Sequence, residues 1–303
     1  KSLAIYRSHL EPGAPDVVIA LNALAATLRY KGMLGDMPAY DEAERLHREA
    51  LAAEESRDSP DPIRRAESLK GLAYIARDKG RYGEAETRFR RLLTLQRASL
   101  TDDHPAVINT TINIAAVLAD QGRFEESIAL YRQGLDGRRA IQGSSHVDYA
   151  IDLGGLGEVY LKKGDYAAAE QHLREALRSL REALPADNLR ITKLMRDLSH
   201  ALTMQGQTTE AQDILQELLT TDAGGQSSDY WTAVTQRLLA EALAADREYS
   251  RAEELLRESY ASLRSSYPGD RETTNARESL IALYDQWNKP GEANRYREVR
   301  DDE

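Results

Sequence analysis

The sequence predicts an all-α protein, a right-handed superhelical solenoid of about seven stacked antiparallel helix pairs. The first observation is a small residue that recurs at intervals of 42, 42, 42, 42, 41 and 41 residues. The second is an aromatic position three residues earlier, which recurs at the same intervals. A fixed period of this kind is typical of supersecondary units that stack in a row. The small residues are Ala43, Ala85, Ser127, Ala169, Ala211, Ala252 and Ala293, and the earlier position holds Tyr40, Tyr82, Phe124, Tyr166, Thr208, Tyr249 and Pro290.

A third set of residues recurs in the same way and consists of large aliphatic residues. It marks one equivalent position on the first helix of each pair, and we call each of these three recurring sets a ladder. The intervals of the third ladder are 48, 42, 42, 42, 41 and 41 residues. The six extra residues fall in the first unit, so we expect Lys31–Pro38 to form a longer loop between two helices. The ladder consists of Leu24, Leu72, Ile114, Leu156, Leu198, Leu239 and Leu280.

The second unit shows how one repeat is built. Apolar residues at helical spacing predict a first helix over about Pro62–Lys79 and a second over about Tyr82–Leu100. Gly80 lies between them, where a left-handed residue ends the first helix. Where Thr208 and Pro290 replace the aromatic residue, we expect looser packing at the turn.

The chain is expected to begin inside a helix. Apolar residues at Leu3, Tyr6 and Leu10 have helical spacing, so residues 1–11 are interpreted as the second helix of a truncated preceding repeat. This interpretation implies that the chain is a piece of a longer protein. Residues 12–303 are then expected to form one solenoid, with repeats at about 12–57, 58–100, 101–142, 143–184, 185–225, 226–267 and 268–303.

Composition argues against several functional classes. The formal net charge of −10 disfavours a non-specific nucleic-acid binder and direct contact with an anionic membrane. No cysteine is present, so thiol catalysis and disulfides are excluded. No apolar run reaches the roughly 18–20 residues of a membrane span.

The repeated residues resemble the tetratricopeptide repeat. That family places a small residue, a glycine, an aromatic residue, an alanine and a second large residue in order, and the second unit has Ala73, Gly80, Tyr82, Ala85 and Phe89 there. The usual repeat has about 34 residues, whereas this one has 42. The longer unit is similar to the kinesin-light-chain type of tetratricopeptide repeat.

A narrower resemblance concerns the C-terminus. The segment Leu280–Arg297 is similar to the closing repeat of bacterial serine/threonine kinases that carry tetratricopeptide arrays after a kinase domain. The resemblance implies a regulatory or recruitment part of such a protein. None of the kinase motifs occurs in this sequence. The compartment stays open, cytoplasmic or, in a membrane-anchored kinase, extracytoplasmic.

No catalytic, metal or cofactor site is predicted. His104 and His146 are 42 residues apart, and equivalent atoms of stacked repeats are too far apart to share one ion, so we interpret both as helix-entry residues. Gly154, Gly155 and Gly157 resemble a phosphate loop superficially. They fall inside a first helix and follow no strand, which favours close helix packing over phosphate binding.

The resemblance implies a binding surface on the first helices, which line a concave groove in this family. A protein or peptide segment, possibly acidic, is the expected partner, because basic side chains beside amides and hydroxyls suit an extended peptide. Two functions stay open: a non-catalytic interaction scaffold, or a sensor whose superhelix changes shape on binding and controls an attached effector. The implied groove residues are Asn22, Arg29, Lys70, Tyr74, Arg77, Asn109, Glu158, Lys162, Lys193, Arg196, His200 and Arg237.

Overall fold

The computed structural model describes residues 10, 11, 13–33, 37–222 and 229–299. Every regular element in these residues is an α-helix, which confirms the predicted class. The helices are α1 Pro15–Met33, α2 Met37–Glu55, α3 Pro62–Asp78, α4 Tyr82–Arg97, α5 Pro105–Asp120, α6 Phe124–Gln142, α7 Val147–Lys163, α8 Tyr166–Ala183, α9 Leu189–Met204, α10 Thr208–Asp222, α11 Asp229–Ala245, α12 Tyr249–Ser266, α13 Arg271–Gln286 and α14 Pro290–Arg297.

The helices fall into two compact units, residues 1–144 and 145–303. Within each unit, every helix packs against the next one in the chain. First helices also contact first helices, α1 with α3 in the first unit, and α7 with α9, α9 with α11 and α11 with α13 in the second. Odd-numbered helices therefore form one layer of each unit and even-numbered helices the other. The expectation of one continuous domain over 12–303 stays a prediction.

The small-residue ladder is the contact that lets two helices of a pair approach. Its seven members, from Ala43 to Ala293, are all 0% exposed. At Ser127, the one polar member, the hydroxyl donates to the carbonyl oxygen of Ala115 at 2.7 Å, so no buried polar atom is left without a partner. Phe89 beside Ala85 is also fully buried. Burial of a side chain of this size contributes about 1.5–3 kcal/mol.

The turn after each first helix from α3 to α13 has one left-handed residue, as was predicted for Gly80. The next backbone N–H then donates five residues back, for example Arg81 N to the Ala76 oxygen at 2.8 Å, which closes the helix end. Two turns achieve this without glycine. The left-handed residues are Gly80, Gly122, Gly164, Gly206, Arg247 and Asn288.

Helix starts explain the two repeated histidines. His104 and His146 are N-cap residues, and the Nδ1 of each accepts the backbone N–H two residues on, at 3.1 Å. Their interpretation as helix-entry residues is confirmed. At α3 the same role belongs to Asp61, which accepts from the N–H groups of Ile63 and Arg64.

Three local expectations concern the first inter-helix loop, the turn at Thr208 and the start of the chain, and the first of them needs correction. The loop predicted over Lys31–Pro38 is shorter, because Lys31–Met33 continues α1 and Met37 already begins α2. At Thr208 the missing ring is replaced by a hydrogen bond, since the buried hydroxyl donates to Asp246 Oδ1 at 2.7 Å. The helix expected over residues 1–11 lies almost wholly outside the described residues.

Candidate functional site

A groove in the second unit is lined by one face of each of its four first helices. Its volume is about 870 Å³. On α9 the lining side chains follow helical spacing, so they project from one face: Lys193, Arg196, Asp197, His200 and Met204. The groove is therefore a direct product of the repeat, which turns the same face of each first helix in one direction.

One wall of the groove is a charged cluster between α7 and α9. Lys193 Nζ donates to Glu158 Oε2 at 2.8 Å and to Asp197 Oδ2 at 2.7 Å, and Lys162 Nζ lies 3.0 Å from Glu158 Oε1. Burial raises the pKa of Glu158, but the two ammonium groups outweigh it and hold that pKa below its usual range. Burial, aided by the charge of Glu158, raises the pKa of Asp197.

The floor between α9 and α11 is built around Arg196, which is 5% exposed. Its Nε donates to Thr235 Oγ1 at 2.8 Å, and Nη1 donates to Thr192 Oγ1 at 3.3 Å. The guanidinium carbon lies 5.0 Å from the centre of the Trp231 ring. Stacking and hydrogen bonding together fix this cation in the plane of the floor.

Arg237 occupies the equivalent position one repeat later and uses ion pairs instead. Its guanidinium donates to Glu241 Oε1 at 2.6 Å and to Glu272 Oε2 at 2.9 Å. Glu241 Oε1 also accepts from the Ser279 hydroxyl. Arg237 Nε is buried and has no hydrogen-bond partner. These bonds join α11 to α13 across the floor.

The C-terminal ends of the first helices add apolar side chains to the lining, next to the polar residues Lys162, Thr203 and Gln286. Leu161, Met204, Ala245 and Ala282, which we call the apolar strip, lie toward the C-terminal ends of the four first helices. Met204 is 51% exposed, an unusual value for a side chain of this type. Met204, Ala245 and Ala282 are thus exposed and Leu161 is half-buried, so the strip offers apolar surface beside a charged floor.

The charges that line this groove balance. Five side chains are cationic and five are anionic, so the formal net charge of the lining is zero. Lys162, Lys193 and Arg237 are bonded to carboxylates of the groove itself. Of the remaining two cations, Arg196 is stacked and hydrogen-bonded, and Arg271 is exposed at the rim.

Comparison with known proteins finds a family that this chain resembles. The tetratricopeptide-repeat model matches residues 64–140 and 106–182. The kinesin-light-chain TPR-like repeats of Podosopora anserina are 21% identical, with a TM-score of 0.57, over 69% of this chain and 99% of that one. No curated protein matches the chain.

Two solved Rap structures share the tetratricopeptide-like fold. The apo form of RapI is 16% identical, with a TM-score of 0.68, over 90% of this chain and 94% of that one. A Rap protein complexed with competence and sporulation factor is 15% identical, with a TM-score of 0.59, over 96% of this chain and 84% of that one. At these identities the likeness shows the fold alone.

The predicted tetratricopeptide groove residues divide between the two units. All six predicted for the second unit line its groove: Glu158, Lys162, Lys193, Arg196, His200 and Arg237. They are joined by residues that were not assigned to the groove from the sequence, notably Trp231 and Asp197. Asp197 follows the predicted Lys193 by four residues on the same helix, and that spacing was the available signal.

In the first unit, the predicted residues are held by intramolecular contacts. Asn22 Oδ1 lies 2.8 Å from His47 Nδ1 and accepts from the Ser68 hydroxyl at 2.9 Å. Asn109 Oδ1 accepts from Arg138 at 2.6 Å, and Lys70 donates to Glu67 at 2.8 Å.

The two predicted arginines of the first unit form a ladder between first helices. Arg29 donates to Asp78 at 2.6 and 3.2 Å, and Arg77 donates to Asp120 at 2.6 Å. The Arg29 guanidinium also lies 4.6 Å from the centre of the Tyr74 ring. The Tyr74 hydroxyl accepts from Asn113 at 3.0 Å. Each of these contacts holds one repeat to the next.

Within the described ranges, no group of three or more His, Asp or Glu side chains could hold a metal ion. Nor does any helix of those ranges have the length and apolarity to span a bilayer. Gly154 and Gly157 lie inside α7, where an added Cβ would fall 2.7 Å from Leu194 Cδ2 and 2.8 Å from Leu173 Cγ. Close helix packing therefore explains these glycines.

Proposed function

We propose that this chain is a non-catalytic interaction module that binds a peptide or protein segment in the groove of its second unit. The observation that carries the proposal is the groove itself, about 870 Å³ in volume and lined by four first helices. All four first helices contribute polar side chains to the lining, so an extended backbone that crosses the helices meets hydrogen-bonding groups on each. The Rap structure complexed with a factor has the same fold and supports the proposal by analogy.

The prearranged floor supports binding over catalysis. Trp231 and Arg196 are locked by stacking and by hydrogen bonds, so the surface is ready before a ligand arrives. A preordered site loses less conformational entropy on binding than a disordered one. Lys162, Lys193 and Arg237 are also bonded to carboxylates of the groove, which fixes the positions of these charged groups.

The test is peptide selection on the full chain with a blocked groove as comparison. Ala245 is exposed and lines the groove, and Ala245→Trp would fill it. Ala261 on α12 is equally exposed outside the lining, so Ala261→Trp is the matched control. We expect the wild type and the control to enrich binding peptides from a random decapeptide library, and we expect Ala245→Trp not to do so. Equal enrichment on all three proteins would refute the groove assignment.

The role in a larger bacterial protein, such as a serine/threonine kinase, rests on the resemblance of Leu280–Arg297 alone. The encoded sequence upstream of Lys1 tests it directly, because a kinase domain there would carry the motifs that this chain lacks. A different protein class upstream would replace the kinase hypothesis and leave the groove proposal intact.

The sensor alternative is separated from the scaffold by solution scattering. Helices of each unit contact their neighbours in the row, and such arrays change pitch by small steps at each interface. A selected peptide that alters the radius of gyration would favour the sensor. Unchanged dimensions at saturation would favour the scaffold.

A further inference from the structure

Leu161 and Met204 of the apolar strip occupy the same repeat positions as Arg29 and Asp78 of the first unit's ion-pair ladder. Counting from the aliphatic ladder, Arg29 lies five residues after Leu24, and Asp78 six residues after Leu72. In the second unit the corresponding residues are Leu161, five after Leu156, and Met204, six after Leu198. An ion pair between first helices in one unit is thus replaced by two apolar side chains in the other.

This replacement determines which groups the C-terminal ends of the first helices can offer to a partner in each unit. Arg29 and Asp78 satisfy each other with two hydrogen bonds, and Arg77 and Asp120 repeat the arrangement. Because these charged groups already hydrogen-bond to each other, a partner would gain little by binding to them. In the second unit, Leu161 and Met204 line the groove, and Ala245 and Ala282 are exposed beside them.

The charge balance of the lining restricts the partner further. With five cations and five anions in the lining, an acidic or a basic segment gains little from steering. It would also have to compete with the Glu158–Lys193 and Arg237–Glu272 pairs. A segment without net charge avoids that competition and still hydrogen-bonds along its backbone.

We propose that the apolar strip anchors one uncharged aliphatic side chain of an extended peptide segment that has no net charge. The proposal rests on the proposed function and names the ligand class for the same groove. It replaces the acidic partner expected from the sequence, because three of the five lining cations already pair with carboxylates and the formal charge of the lining sums to zero.

The probes are three immobilised random decapeptide pools of fixed composition. All contain Gly, Ser, Asn and Gln, and they differ in one added pair of residues, which is Leu and Met, Asp and Glu, or Lys and Arg. We expect the full chain to retain the aliphatic pool about tenfold more strongly than either charged pool. We expect that retention to change by less than about twofold between about 50 and about 500 mM salt, because no net charge is being screened.

Variants of the apolar strip test whether the strip anchors a side chain, independently of whether the groove binds peptides. Met204→Lys changes a half-exposed side chain and cannot empty the core, and we expect retention of the aliphatic pool to fall about tenfold. Leu161→Arg with Met204→Asp copies the Arg29–Asp78 pair into the second unit and should close the site equally. Met204→Leu is the matched control and should retain the pool.

Each result has a distinct meaning. A charged pool retained more strongly than the aliphatic pool, or retention indifferent to Met204→Lys but abolished by Ala245→Trp, would overturn the anchor and leave the groove function standing. Retention of every pool unchanged by Ala245→Trp would overturn both.

Discussion

Arg29 and Asp78 form a two-fold hydrogen-bonded ion pair between α1 and α3, with Nε–Oδ2 at 2.6 Å and Nη2–Oδ1 at 3.2 Å. Their side chains are 25% and 18% exposed. Partial burial and the paired geometry make such a contact stronger than an ordinary surface ion pair. The pair links two consecutive repeats, so it contributes to the stacking interface itself.

A double-mutant cycle should measure this contribution. With Arg29→Met and Asp78→Asn, we expect a coupling free energy of about 1 kcal/mol in urea unfolding. The exposed pair Arg45–Glu42 is the comparison, and its coupling should be about 0.3 kcal/mol. Equal couplings for the two pairs would show that Arg29 and Asp78 do not stabilise the interface.

His47 makes the stability of the first unit depend on pH. The imidazole is 3% exposed, and burial lowers its pKa from 6.5 to about 4, with Glu67 opposing and Arg29 and Lys70 assisting that shift. Between these values the unfolded chain binds a proton that the folded chain does not. Stability is therefore full above pH 6.5 and falls as the pH drops toward 4.

We expect the first unit to lose about 2 kcal/mol between pH 7 and pH 5 from this group. His47→Gln keeps a donor for Asn22 without a titrating group, so it should reduce this loss. The measurement is chemical denaturation at both pH values, followed by a probe in residues 13–144. If the wild type and the variant lose the same free energy of unfolding between the two pH values, groups other than His47 cause the loss.

The two glycines of α7 should differ in their response to alanine. At Gly157 a Cβ would lie 2.8 Å from Leu173 Cγ and 3.4 Å from the Leu173 backbone nitrogen, whereas at Gly154 the closest atom is the end of the Leu194 side chain. We expect Gly157→Ala to lower the free energy of unfolding by about 1–2 kcal/mol.

Gly154→Ala should be nearly neutral, because movement of Leu194 is offset by the gain of about 1 kcal/mol in helix propensity. Thermal unfolding of both variants beside the wild type measures the difference. The steric explanation fails if Gly154→Ala is the more damaging change.

Arg247 occupies a turn position that is glycine in four other repeats, with φ of 64°. A left-handed conformation costs a side-chain-bearing residue about 1–2 kcal/mol. Arg247→Gly should therefore stabilise the second unit by about 0.5–1 kcal/mol after the entropy of the unfolded glycine is included. Asn288→Gly should give less, because asparagine tolerates this conformation. Calorimetric midpoints of both variants would check the order.

The period of the chain was enough to predict the helices and their layers. Residues at one repeat position share one environment, and the seven buried small residues from Ala43 to Ala293 show this directly. Leu24 differs from its ladder, being 38% exposed, whereas the other six members are at most 5% exposed. The residues just before α1 lie largely outside the described part of the chain.

The groove could be predicted only in part, because side-chain pairing is not periodic. Arg29 and Arg196 were assigned alike, yet Arg29 bonds to Asp78 and Arg196 stacks on Trp231. Both partners lie 35 to 49 residues further along the chain. A position-by-position transfer from a family marks which face a side chain is on. It does not show whether another side chain already occupies that face.

Leu161 and Met204 stand at the repeat positions that Arg29 and Asp78 hold in the first unit. The positions proposed to bind a ligand are therefore not the positions that pack the helices together. Buried alanines and leucines hold the helices together at positions that neither pair occupies. Two substitutions at the outer edge can therefore open or close a binding surface while the stack persists. Exchanges at these two positions would then change the ligand preference of a repeat, and each ion pair lost there would cost about 1 kcal/mol of coupling between neighbouring repeats.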